Sequence, residues 1–70
     1  MSEVPWERRL GRTIRRYRMS RKYTLQQAAD RLGVSLRWWQ DLEKGTAISL
    51  RTLIRVAATL GIPAWKVLKG

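Results

Sequence analysis

Apolar residues recur along this chain at steps of three and four, the period of helices that lay one face on a shared core. Trp6, Leu10, Ile14 and Tyr17 form one such stripe and predict a first helix over residues 6–20, its other faces crowded with arginine. Thr24 and Gln27 have the spacing of a capping box, in which the threonine oxygen takes a free amide and the glutamine reaches back. A second helix therefore starts there, and Gly33 ends it in the left-handed conformation. Ser35 caps a third helix carrying Trp39 and Leu42, and Gly45 after Lys44 is its stop. Ser49 caps a fourth, with Ile48 and Leu53 placed as a hydrophobic staple and Gly61 at its end. Pro63 suits the first turn of a short fifth helix, where its missing amide hydrogen costs nothing.

No stretch alternates as a strand would, so the fold class is all-α, with one domain over residues 1–70 and neither linker nor internal repeat. The expected core is Trp6, Leu10, Ile14, Tyr17, Ala28, Ala29, Leu32, Val34, Trp39, Leu42, Leu53, Val56, Ala57, Leu60, Val67 and Leu68. Four tryptophans give a small core large buried areas with which to offset its ordering entropy.

Charge narrows the function. Fifteen Lys and Arg face five Asp and Glu, a net charge of +10, and such a balance attracts polyanions: nucleic acid first, an acidic membrane surface second. Without cysteine there is no disulfide, and without histidine the commonest metal ligand and general base are missing. A chain of 70 residues also has little room for a catalytic cleft, so neither enzyme activity nor a metal or cofactor is expected. No apolar run is long enough to span a bilayer, and the glutamate and proline near Met1 are unlike a secretory signal, which suits a soluble cytoplasmic protein.

The segment LQQAADRLGVSLRWWQDL, residues 25–42, holds a helix, a glycine turn and a second helix in close succession. A crossing that tight needs a small residue at the contact, supplied by Ala29, and a turn residue tolerant of positive φ, supplied by Gly33. Here the sequence resembles the helix-turn-helix of the Cro and phage-repressor family, often called the Xre family. LGRTIRRYR looks like that family's first helix, Glu43-Lys44-Gly45 its exit from the recognition helix, and SLRTLIRVAATLGIP its fourth helix and following turn. The likeness covers residues 10–68 and implies a compact five-helix lambda-repressor-like domain, with its helix-turn-helix unit at 25–43 and recognition helix at about 35–43. Two places depart from the pattern: Leu25 stands where many relatives carry glutamine, and the Thr46-Ala47-Ile48 loop lacks the frequent basic residues. A third exchange, small Ala28 against bulky Trp39, conserves core volume.

The resemblance implies sequence-specific binding of double-stranded DNA by a repressor-like transcriptional regulator, with the third helix in the major groove. Leu36, Arg37, Gln40 and Asp41 lie off the Trp39 and Leu42 stripe and are the candidate base readers. The Arg37 guanidinium can donate twice to guanine O6 and N7, and Leu36 can meet a thymine methyl. Asp41, one turn after Arg37, either orients that side chain or accepts from cytosine N4; an ordinary solvated helical pair is the bland reading. Candidate phosphate contacts are Gln26, Ser35, Trp38, Lys44, Thr46 and Arg51, each also explicable as a cap or a solubilising group. Trp38 either flanks the DNA backbone or covers the first helix or a dimer partner. The family pattern makes Arg18 and Glu43 a partly buried structural ion pair between the first and third helices. The cluster Arg8, Arg9, Arg12, Arg15, Arg16, Arg21 and Lys22 lies outside the motif, and a charge run is usually a solvated face.

A homodimer on DNA is expected, because one short domain makes few contacts and Trp65 and Leu68 offer apolar surface for pairing. Two other classes stand beside this reading. One is a protein-interaction module, such as an antitoxin or bridging factor that also binds DNA. The other is a membrane-surface peptide built on the first helix, which four further helices support poorly.

Overall fold

The computed structural model describes residues 5–69. Among the described residues the regular elements are all helical: α1 Trp6–Ser20, α2 Leu25–Leu32, α3 Leu36–Lys44, α4 Leu50–Thr59 and α5 Ala64–Lys69. Their starts follow the local side chains. The Thr24 hydroxyl accepts from the Gln27 amide at 3.0 Å while the Gln27 carbonyl accepts from the Thr24 amide at 2.8 Å, so both halves of the box are made. Ser35 accepts from the Trp38 amide at 3.0 Å and Ser49 from the Thr52 amide at 3.1 Å. Each contact satisfies a donor that a helix's first turn leaves without an intrahelical partner. Gly33 adopts φ 82° and closes α2 with its amide on the Ala29 carbonyl, as the short turn into α3 requires. The helix-turn-helix unit is thus α2, this turn and α3. The fourth helix ends at Thr59, with Leu60 as its C-cap one residue before the expected glycine, and Pro63 stands one residue ahead of α5.

The packing places α3 at the centre, against both α1 and α2, while α4 joins α2 to α5 and α5 closes back on α1. Ile14, Ala28, Ala29, Trp39 and Val56 are fully buried, with Leu10, Leu42, Leu53, Ala57, Leu60 and Val67 completing the core. Tyr17, Leu32 and Val34 are half-buried against it. Two expected members are corrected. Trp6 is 53% exposed and Leu68 55%. Trp6 opens α1, at the outer end of the stripe, and in the short α5 the 100° step per residue turns Val67 inward and Leu68 out.

Two contacts lock α1 to α3. Gly11 is buried where the helices cross: a Cβ there would lie 2.6 Å from the Glu43 carbonyl oxygen and 2.8 Å from that of Leu42. Beside it, the Arg18 Nε donates to the Glu43 carboxylate at 2.5 Å and a second guanidinium nitrogen donates at 3.2 Å. Both side chains are about nine-tenths buried. Another Arg18 nitrogen donates to the Tyr23 carbonyl at 2.8 Å, and the Trp39 indole N–H donates to Glu43 at 2.7 Å. A buried charge pair is tolerated when its remaining polar valences are met in this way.

The turn at Gly33 and the two α1–α3 contacts differ in what a substitution costs. Gly33→Ala meets open space and bears only the left-handed penalty, about 1–2 kcal/mol, partly offset by a less flexible unfolded chain. Gly11→Ala gains up to about 1 kcal/mol of helix propensity but drives a methyl into fixed backbone, an overpacking cost of about 1–3 kcal/mol or more. Thermal melting should therefore fall further for Gly11→Ala than for a serine placed at exposed Arg12 on the same helix, which removes no packing. Parity between the two would show that the close approach is not limiting. Glu43→Ala should lower urea stability by about 3–5 kcal/mol, because Arg18 and the Trp39 N–H lose their acceptor together.

Candidate nucleic-acid interface

The core holds α3 by Trp39 and Leu42 and leaves the opposite side of the helix open. Arg37, the second residue of α3, has 85% of its side chain exposed, and its Nε lies 3.5 Å from Asp41 Oδ2. Asp41 thus sits one turn below Arg37 and restrains the direction of the guanidinium. In water such an i,i+4 pair contributes only a few tenths of a kcal/mol, so a stronger acceptor displaces it readily. Leu36 and Gln40 are half-buried on the flanks of the same face. The four candidate readers therefore occupy the solvent-facing side of one short helix, with Arg37 projecting furthest into solvent. Its planar fork suits two parallel acceptors.

The candidate phosphate contacts divide. Ser35, at the mouth of α3, and Lys44, at its end, are exposed, as is Arg51 in the first turn of α4. Gln26 is exposed as well, but its amide nitrogen donates to Asp30 Oδ1 at 2.8 Å. The Thr46 hydroxyl donates to the Asp41 carbonyl at 3.0 Å, so its single proton caps the end of α3. Trp38 is half-buried against the core, because a ring of its size reaches round the helix to the apolar side.

The basic first helix is not one surface. Arg18 belongs to the buried lock, and Arg21 donates to the Gly61 carbonyl at 3.2 Å, tying α1 to the turn after α4. Arg8 packs its aliphatic stem against the Gly45 turn. Arg15 lines a groove of about 300 Å³ together with Arg18, Leu25, Gln40, Glu43 and Lys44. This places Arg15 beside two α3 side chains of the candidate interface, a role missed by sequence reasoning. The signal was available in helical spacing: Arg15 is four residues after Gly11 and three before Arg18, and both of those face α3. Arg9, Arg12 and Arg16 line a different groove, against α5.

No helix among the described residues is long and apolar enough to cross a membrane. A family model described as a helix-turn-helix domain matches residues 9–65. Two crystal structures of the clp gene regulator ClgR from Corynebacterium glutamicum superpose with TM-scores of 0.93 and 0.90, each at 29% identity. The matches cover 97% of this chain, and 88% and 73% of the respective ClgR chains. No match was found among curated protein sequences. Helix caps, the left-handed glycine turn, the five-helix order and the family match over residues 9–65 agree, and the chain belongs to the helix-turn-helix domain family.

Proposed function

We propose that this domain is a DNA-binding transcriptional regulator that sets α3 into the major groove of double-stranded DNA and reads base edges from its exposed face. The observation that carries the reading is the contrast within α3: Trp39 and Leu42 are buried in the core while the side chain of Arg37, in the first turn of the helix, stands 85% exposed. A helix held so firmly by one side and so open on the other presents side chains at fixed positions. The net charge of +10 supplies the attraction to phosphate, and the likeness to a gene regulator agrees with the role. Arg37 reads guanine, Leu36 contacts a thymine methyl, and Gln40 and Asp41 complete the face. Ser35, Lys44, Arg51 and Arg15 hold phosphates and fix the register, with Gln26, Trp38 and Thr46 at its margin.

Binding by two copies completes the proposal. Half-sites then lie roughly 34–36 Å apart, one duplex turn, so that two α3 helices enter successive major grooves on one side of the DNA. Trp65 on α5, 59% exposed, is available for a second copy to cover. The domain works by binding, with no reaction assigned to it.

Selection from randomised duplexes is the direct test, with inverted symmetry expected in the selected site. A sequence logo without a preferred site would overturn specific recognition. Affinity should fall steeply with salt, with a log–log slope of about 0.9 per phosphate neutralised, and a salt-independent constant would remove DNA as the ligand. Arg37→Ala should cost roughly 1–3 kcal/mol on the selected site and relax the choice of one base pair per half-site, with melting unchanged. Lys44→Ala should instead weaken all sequences alike and flatten the salt slope by about one unit. Equal losses on matched and mismatched duplexes for Arg37→Ala would make it a backbone clamp.

A further inference from the structure

The groove between α1 and α5 is built differently from the α3 side. It encloses about 370 Å³ and is lined by Trp6, Leu10, Val67 and Leu68 together with Arg9, Arg12, Arg16 and Lys69. Two of the four apolar side chains are those expected in the core and found outside it: Trp6 and Leu68 remain more than half exposed beside the buried Leu10 and Val67. Four cations surround them, and no carboxylate lines the groove among the described residues. Apart from both containing residues of α1, this groove shares no residue with the one beside Gln40 and Lys44.

We propose that the α1–α5 groove docks an acidic, amphipathic segment of a partner protein, its bulky apolar side chains against Trp6 and Leu68 and its carboxylates on Arg9, Arg12 and Lys69. The charge of the groove selects this occupant. A second copy of the chain has few carboxylates to set on this rim, since Glu43 is buried against Arg18 and Asp41 pairs with Arg37, so a copy that covers Trp65 leaves this groove unfilled. Duplex DNA would satisfy the arginines, but its phosphate rim keeps the thymine methyls inside the major groove and offers no bulky apolar anchor that could enter a concavity lined by Trp6 and Leu68. A bilayer surface is flat on this scale, whereas the site is a concavity sized for a few side chains. An acidic helix or extended segment with apolar anchors matches both the rim and the floor. Such a contact buries less than a standard interface, which places it among transient regulatory encounters. Because it leaves α3 uncovered, the partner and DNA bind together.

The test uses the full chain and two fluorescein-labelled synthetic peptides of equal negative charge. In one, leucines recur at helical spacing among Glu and Asp; in the other, every leucine is serine. Fluorescence anisotropy at moderate salt should show the leucine peptide binding at least about tenfold more tightly. Trp6→Ser and Arg12→Glu should each weaken it by about tenfold, the scale of one interface anchor. Trp6→Ser should change the melting temperature little and leave the affinity for selected duplex unchanged, since Trp6 is more than half exposed, lies outside the buried core and lines none of the groove beside α3. The proposal is overturned if the two peptides bind alike, if neither variant weakens the leucine peptide, or if duplex DNA displaces it competitively. It is likewise overturned if phosphatidylglycerol vesicles bind through Trp6 while the peptide does not, or if Trp6→Ser dissociates a dimer of the chain.

Discussion

The Glu43 carboxylate is the point on which the arrangement of helices turns. It accepts from Arg18 on α1 and from the Trp39 indole on its own helix, while its backbone carbonyl presses on Gly11. One residue thereby fixes how near α1 comes to α3, how far α3 is rotated, and where the long buried tryptophan sits. Burying a carboxylate is unfavourable unless each of its oxygens finds a donor, so the geometry that satisfies Glu43 is narrow. The position of the α3 outer face is a consequence of that narrowness.

The same logic sorts the positive charge. Arginine brings a long apolar stem as well as a head group, and the fold uses both. Arg18 is spent on Glu43 and on the Tyr23 carbonyl, Arg21 on the turn after α4, and the Arg31 guanidinium lies 4.5 Å from the centre of the Tyr23 ring. Of the other α1 arginines, Arg15 lies on a margin beside α3 and Arg9, Arg12 and Arg16 on one beside α5. The positive charge of α1 is therefore divided between two margins with structural cations between them, one part of the chain's +10. Composition reports their sum only.

Much of the fold was legible because its signals are local. Thr24, Ser35 and Ser49 sit three residues before the amides they accept from, and Gly33 marks the turn, so the boundaries of α2, α3 and α4 follow from short-range chemistry. Periodicity was less informative at the ends of the molecule. It gives the direction in which Trp6 and Leu68 point relative to their stripes, but not whether a helix is there to cover them. Gly11 was invisible for a related reason: in sequence it is an ordinary, slightly unfavourable helix residue, and only the partner helix makes it necessary. The Trp39–Glu43 bond did leave a trace, being an i,i+4 pair on one face. At the interface, residue type identified Arg37 and Lys44 as available groups. It could not show that the Thr46 proton and the Gln26 amide were already engaged within the domain.

The separation within α3 bears on how such a domain changes over time. Arg37 makes one weak surface contact, and the side chains of residues 39, 42 and 43 carry the anchoring. Substitutions at position 37 can accumulate with little effect on the lock beneath, so, on the proposed reading of DNA by α3, selection acts on what is recognised almost independently of whether the chain folds. Descendants of one scaffold can then diverge in target while their backbones remain superposable. An engineer inherits the same freedom: libraries at the exposed positions of α3 sample new preferences on an unchanged support.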